Sequence, residues 1–133
     1  MTGKERSKPA RARTPEDVHR LWAEYFVAGD LDAMVSLYEP DATLAAGQGA
    51  SVTGHRAIRE VLAGFIAIRR TFEIEIGRAL QSGDIALIAS SWKLEGEQRG
   101  APYETSGRTA DVVRRQPDGS WLYVIDSPYG EGA

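Results

Sequence analysis

Residues 103–129 read YETSGRTADVVRRQPDGSWLYVIDSPY, and the way this stretch pairs with itself decides the fold. Val112-Val113 and Trp121-Leu122 are strand formers on either side of Pro117-Asp118-Gly119-Ser120. Asp-Gly between such runs is a strong short-range hairpin signal. With Asp118 and Gly119 as the two central turn residues, Pro117 faces Ser120, Val113 faces Val124 and Asp111 faces Asp126. Directly opposed residues share a face of the sheet, and side chains alternate between faces. Asp111, Val113, Leu122, Val124 and Asp126 then share one face. Ala110, Val112, Arg114, Trp121, Tyr123 and Ile125 share the other. A slip of one residue on one strand sends the two acids to opposite faces.

Acids are uncommon among apolar strand residues, so Asp111 and Asp126 mark this hairpin as the inner wall of a small-molecule pocket. Opposed carboxylates repel and burial desolvates them; both effects raise a pKa. One of the pair then holds a proton near neutral pH and can donate a hydrogen bond or act as a general acid. The plainer alternatives are that one acid bonds backbone amides or an arginine such as Arg108, or that Asp126 lies at a strand end in water.

Working outward, Thr14-Pro15-Glu16-Asp17 is a helix start: Thr14 can cap, Pro15 suits the first helical position, and two acids favour the positive end of the dipole. Val18, Leu21, Trp22, Tyr25 and Phe26 follow at helical spacing, and Gly29 ends the helix. Asp30 caps a second, short helix that Pro40 stops. Ala42 to Ala46 predicts a strand, residues 47–51 a loop, and Thr53-Gly54-His55 the entry to a third helix with Ile58, Val61, Leu62, Phe65 and Ile66 inside. Strands follow over 71–80, 85–95, 103–116 and 120–127. Gly77 and Gly107 within them predict bulges that curve the sheet. The order α-α-β-α-β-β-β-β predicts an α+β domain, a cone-shaped curved antiparallel sheet with three helices on its concave face. The space between sheet and helices suits an apolar ligand.

The 133 residues make one domain with a core of its own. Residues 15–129 carry it, between a basic tail over 1–14, expected to be disordered, and a tail over 130–133. The net charge of −3 divides into +4 over residues 1–14 and −7 over the rest. An acidic body argues against nucleic acid as a partner. The longest apolar run, near Ile85 to Ala89, is too short to span a bilayer, and no signal-peptide pattern follows the basic start. There is no cysteine, hence no thiolate metal site. These features predict a cytoplasmic protein.

Of the two histidines, His19 falls off the apolar face of the first helix and reads as a surface residue. His55, at a helix start, is the candidate base or hydrogen-bond partner at the pocket mouth, or else a capping residue. One histidine with scattered acids makes no convincing metal site. Trp22, Tyr25, Phe26, Trp92 and Tyr103, with Val113 and Val124, are the candidate ligand-binding residues. No histidine stands at a recognisable spacing from Ser90, Ser91 or Ser127, which leaves a serine nucleophile poorly supported.

The order of elements, with Phe26-Val27-Ala28-Gly29-Asp30-Leu31-Asp32-Ala33-Met34-Val35-Ser36-Leu37-Tyr38, Asp41-Ala42-Thr43, Gly54-His55-Arg56-Ala57-Ile58-Arg59, Asp111-Val112-Val113-Arg114-Arg115, Asp118-Gly119-Ser120-Trp121 and Asp126, resembles the nuclear transport factor 2-like superfamily. That superfamily includes ketosteroid isomerases and polyketide cyclases, and hosts many unrelated activities. Ketosteroid isomerases combine a protonated aspartate, a tyrosine and an aspartate base, a combination that serves as a general example of pKa tuning. By the resemblance, these positions fall on Asp111, Trp22 and Ala46. Ala46 cannot take a proton, so steroid isomerisation in the usual manner is not expected. Limonene-epoxide hydrolases use an aspartate–arginine–aspartate cluster; Asp111 and Asp126 match its acids, while Thr109 stands where the arginine would be. The expected function is a pocket protein for a small, apolar or aromatic ligand. If it is an enzyme, cofactor-free acid–base chemistry is expected, with Asp111, Asp126 and His55 catalytic. The alternative is a non-catalytic association or ligand-binding domain. The resemblance also implies a homodimer, through an outer face carrying Trp121, Tyr123 and Ile125.

Overall fold

A computed structural model describes residues 9–47 and 49–130. Residues 1–8 of the expected basic tail, 131–133 of the C-terminal tail, and Gln48 of the expected loop lie outside the described residues.

The first helix, α1 (Pro15–Ala28), begins as its sequence dictates. Thr14 accepts the Asp17 N–H at 3.2 Å, and Gly29 closes the helix in the left-handed conformation, φ 74°. Asp30 caps α2 (Leu31–Val35), accepting from the Ala33 N–H. The third helix, α3 (His55–Ile68), buries Ile58 and Leu62. Arg69 follows it and donates to the carbonyls of Ile66 at 2.7 Å and Val27 at 3.2 Å. One guanidinium thus serves the last turns of α3 and α1, where a cation is favoured.

Among the described residues nine strands form the β layer: β1 (Tyr38–Gly47), β2 (Ala50–Thr53), β3 (Arg69–Glu75), β4 (Leu80–Ser82), β5 (Ile85–Ile88), β6 (Ser91–Gln98), β7 (Ala101–Arg108), β8 (Asp111–Arg115) and β9 (Trp121–Asp126). They make a six-stranded sheet, β2-β1-β9-β8-β5-β4, and a three-stranded sheet, β3-β6-β7. The α+β class with three helices on a curved sheet holds, with three differences from the predicted order. First, residues 50–53, the end of the predicted loop and the approach to the third helix, are a strand that pairs back on β1. Second, β1 runs parallel to β9, so the sheet is mixed rather than antiparallel. No hairpin links these two strands, and nothing local fixes their relative direction. Third, three predicted long strands are each broken, at residues 76–79, 89–90 and 109–110.

The three breaks form a seam where the sheet bends. Ser90 and Thr109 are both buried there. The Ser90 N–H donates to Thr109 Oγ1 at 3.0 Å, and the Thr109 N–H donates to the Ser90 carbonyl at 2.8 Å. Gly77 lies so close that a Cβ on it would sit 1.9 Å from the Ala89 carbonyl oxygen, and its N–H donates to Ser90 Oγ at 3.1 Å. Gly107 is no bulge. It pairs in regular register with Trp92, and its bare face is covered by Pro128 and Tyr129.

The β8–β9 hairpin departs twice from the predicted register. The Gln116 N–H donates to the Ser120 carbonyl and the Gly119 N–H to the Gln116 carbonyl. The turn therefore spans three residues, with Gly119 at φ 87°, a familiar hairpin form. Val113 now faces Tyr123, not Val124. Trp121 and Tyr123 turn inward, 2 % and 3 % exposed, and the predicted outer face loses both. A register shift follows between Val113↔Tyr123 and Val112↔Ile125, with Val124 the extra residue. It returns Asp126 to the inner face beside Asp111.

Residues 9–14, within the expected tail, lie along the body. Ala12 is 1 % exposed and its carbonyl accepts the Trp121 N–H at 2.9 Å. Arg11 pairs with Asp118 at 3.0 Å.

Candidate active site

A cleft opens between the helices and the inner face of the sheet. Its walls are apolar and aromatic. Trp22 and Phe26 come from α1, Phe65 from α3, Phe72 from β3 and Trp92 from β6. Trp22 and Phe26 stack at 4.9 Å, and Phe72 meets Phe26 edge-on at 5.0 Å. Helical spacing on α1 and strand alternation on β3 and β6 bring these rings to one wall.

The polar groups gather at the floor: His19, Thr109, Asp111, Tyr123 and Asp126. All of these except Tyr123 belong to one hydrogen-bonded chain. Trp22 Nε1 donates to Tyr38 Oη at 3.0 Å, and Tyr38 Oη donates to Asp126 Oδ2 at 2.5 Å. The Asp126 and Asp111 carboxyl groups hydrogen-bond to each other. Asp111 Oδ2 lies 2.6 Å from His19 Nε2, and Asp111 Oδ1 accepts the Ser127 N–H at 2.7 Å. His19 Nδ1 lies 2.6 Å from Ser90 Oγ. The seam thus ends in the site, because Ser90 both bends the sheet and holds the imidazole.

Burial sets the protonation of this chain. It pushes Asp126 well above the ordinary carboxylate range, with Asp111's charge adding to the shift. Burial also lifts Asp111 to about 7, against the N–H of Ser127 and the Asp126 carboxyl, which favour its charged form. Asp126 is therefore the protonated member and donates to Asp111. Burial lowers His19 to about 4, so its ring is neutral at pH 7. A neutral ring has one N–H, and Ser90's hydroxyl can serve either tautomer, accepting from Nδ1–H or donating to bare Nδ1. A proton that leaves Asp111 is thus matched by a tautomer change in His19. Tyr38 is pushed well above 10 by burial and by Asp126, and stays a donor.

Ser90, His19 and Asp111 stand in the order of a nucleophile triad. Ser90 does not act as one: it is fully buried, it already accepts from Gly77, and it is absent from the cleft wall.

Of the residues predicted for the site, the structure brings Asp111, Asp126, Trp22, Phe26 and Trp92 to the cleft. Others lie elsewhere. His55 Nε2 is 2.7 Å from the Tyr38 carbonyl, so this ring tethers α3 to β1 and does not reach the cleft. Tyr25 turns to the Ala10 carbonyl at 3.1 Å. Tyr103 sits opposite Gly96 on β6, away from the cleft. Val113 is buried in the core, and Val124 is displaced by the register shift. His19, Tyr38 and Tyr123 were not predicted as site residues. His19 lies 2 % exposed where a surface position was expected. The signal available for it was spacing: His19 falls one residue after Val18 and three before Trp22, on the flank of the apolar stripe.

The SnoaL-like domain profile matches residues 16–124. The chain is a member of the SnoaL-like domain family. This SnoaL-like domain also has solved structures similar to it that carry the nuclear transport factor 2-like fold. A ketosteroid isomerase-like protein from Erwinia carotovora atroseptica is 19 % identical, with a TM-score of 0.70 over 84 % of this chain and 89 % of that one. A candidate calcium/calmodulin-dependent protein kinase type II association domain from Thiobacillus denitrificans is 21 % identical, with a TM-score of 0.71 over 91 % and 98 %. A candidate dehydratase of the same fold family from Streptomyces avermitilis is 16 % identical, with a TM-score of 0.67 over 84 % and 91 %. At these identities the likeness to the SnoaL-like domain is one of fold. Among curated proteins none matches. Among the described residues no helix is long and apolar enough to cross a membrane, and no group of three or more His, Asp or Glu could hold a metal ion.

Proposed function

We propose that this chain is a small-molecule acid–base catalyst of the isomerase or lyase kind, acting on a largely apolar substrate. One observation carries the reading: Asp126, Asp111 and His19, hydrogen-bonded in a chain that Tyr38 backs from behind, lie at the floor of an otherwise apolar cleft. Asp111, poised at about 7, takes a proton from the substrate. Asp126, held protonated and backed by Tyr38, returns one. The proton gained by Asp111 then passes across their hydrogen bond to Asp126 and restores both acids, while His19, neutral throughout, changes tautomer to donate to Asp111 when it is charged and accept from it when it is protonated. General acid–base transfer of this kind contributes about a hundredfold to ten-thousandfold. Asp111→Asn removes the base, and turnover of a responsive substrate falls by at least that lower factor; turnover and binding are measured together. Unchanged turnover in Asp111→Asn and Asp126→Asn would end the proposal.

A ligand-binding domain without turnover is the second reading. The saturation of Asp111 favours it, since both oxygens already accept hydrogen bonds. Tight binding with no product from any bound ligand is its signature.

Homodimerisation is part of the proposal. Leu80, Leu87, Val112 and Ile125 are register neighbours in a row across the outer face of the six-stranded sheet. Leu80 is 74 %, Leu87 47 % and Ile125 43 % exposed. That apolar row replaces the predicted surface of Trp121, Tyr123 and Ile125, and a second copy would cover it.

A further inference from the structure

Tyr123 is the one floor residue that the hydrogen-bonded chain leaves out. Its ring is held firmly, stacked on Tyr38 at 4.6 Å and tilted against His19 at 6.0 Å. The residue is 97 % buried, since only 3 % of it is exposed. Its hydroxyl makes no hydrogen bond among the described residues. Yet no sealed-off side-chain oxygen or nitrogen among those residues lacks a partner. The phenol oxygen must therefore open onto free space, and the space that Tyr123 borders is the cleft. A buried hydroxyl left without a partner costs stability, and a ligand that accepts from it recovers that loss.

The charges around the hydroxyl restrict the ligand further. No lysine or arginine lines the cleft among the described residues. The titratable groups facing Tyr123 are Asp111 and Asp126 from the hairpin, Tyr38 from β1 and His19 from α1. None of them offers a positive charge at neutral pH, and Asp111 offers a negative one. An anionic ligand would meet repulsion with no compensating cation. Tyr123 itself is kept protonated by burial and by both acids, so it presents an O–H donor at every physiological pH.

From this juxtaposition we infer that Tyr123 is the specificity-determining residue of the cleft, a fixed O–H donor that selects neutral ligands bearing an acceptor oxygen, such as a ketone or a quinone, over carboxylates and over hydrocarbons of the same size. The inference rests on the small-molecule reading of the same site and adds the oxygen's anchor and the ligand's charge. Tyr123 positions; it takes no part in the proton transfer assigned to Asp111 and Asp126.

Titration calorimetry with three probes of one ring size tests it: 1-tetralone, tetralin and 1-naphthoate, against the full chain and Tyr123→Phe at pH 7. In the unaltered protein 1-tetralone binds best, tetralin about fivefold to tenfold more weakly for want of one hydrogen bond, and 1-naphthoate at least tenfold more weakly than 1-tetralone. Tyr123→Phe keeps the ring and its stack on Tyr38. It brings 1-tetralone down to the level of tetralin and leaves tetralin unchanged. The probe ranking in the unaltered protein stands as a test even if the variant does not fold. Equal or tighter binding of 1-naphthoate, an undiminished preference for 1-tetralone in Tyr123→Phe, or no binding of any probe overturns the inference. The expected ranking without turnover of any bound ketone leaves Tyr123's role intact and removes the catalytic reading instead.

Discussion

His19 and Asp111 exchange their customary ionisation, and the exchange hides itself from pH. In the unfolded chain a histidine near 6.5 and an aspartate near 3.8 hold one proton between them across mildly acid pH, on the histidine. Folded, burial lowers His19 to about 4 and lifts Asp111 to about 7, and the pair still holds one proton there, on the aspartate. Equal proton counts give no slope in stability. Asp126 is different. Its pKa is raised well above 3.8 by burial and by Asp111, so the folded state binds a proton that the unfolded state has released. A raised folded pKa gives stability that is complete below about pH 4 and is lost as pH rises towards the folded value. Urea unfolding between pH 5 and 8 is therefore expected to show stability falling with pH, with a limit of about 1.4 kcal/mol per pH unit for one proton. Asp126→Asn flattens that slope. A slope that survives the substitution would place the proton elsewhere.

At the scale of elements, the helices were legible and the strands only partly so. Caps and apolar spacing are local, and Thr14, Gly29, Asp30 and Gly54 bound the helices where the sequence places them; α2 ends earlier than expected, at Val35, and Pro40, expected to stop it, lies inside β1. Strand ends depend on partners distant in sequence, and Ala89-Ser90 carries no glycine or proline to mark the break. The hairpin is instructive. Its turn has one more residue than the Asp-Gly rule supplies, and Val124 adds a second departure that cancels the first for Asp126 but not for Tyr123. The acid pair was therefore placed on one face by a register that is wrong for the middle of the strand. His19 was missed because its polarity suggested water, while the partners that satisfy it, Ser90 and Asp111, are 71 and 92 residues away. The seam makes a separate prediction. Gly77→Ala forces a methyl onto the Ala89 carbonyl oxygen, 1.9 Å from the ideal Cβ position, and the backbone must shift. A loss of about 2–3 kcal/mol is expected in denaturant unfolding. Gly83→Ala, where the added methyl meets nothing within 4 Å, costs only the about 1 kcal/mol of its left-handed backbone. Equal losses would show that the seam is not tightly packed.

At the scale of the molecule, the inner and outer faces of one sheet divide the work. The inner face holds the acid chain and the aromatic walls. The outer face carries the apolar row through Leu80, Leu87, Val112 and Ile125. The flanking arginines are engaged in their own sheet: Arg114 pairs with Glu39 at 2.8 Å and Arg115 with Asp84 at 2.6 Å. They frame the row with neutralised charge, as the rim of an interface does. Leu87→Glu puts a carboxylate in the middle of it. Sedimentation velocity is expected to show a dimer for the unaltered chain and a monomer for Leu87→Glu, with ligand binding retained in both. A monomer in both cases would remove the dimer from the proposed function without touching the cleft.

Trp22 gives the acid chain an optical outlet. Its indole N–H donates to Tyr38, and Tyr38 donates to Asp126, while the same ring forms part of the cleft wall. A charge appearing on Asp126 draws the phenol proton towards it and alters the field across the indole, which shifts its emission. The other two indoles are committed elsewhere: Trp92 donates to the Pro128 carbonyl, and Trp121 packs under the Arg115 guanidinium. The protein thus carries, without any label, a fluorophore wired to the acid whose protonation is expected to tilt its stability and which serves the proposed proton transfer.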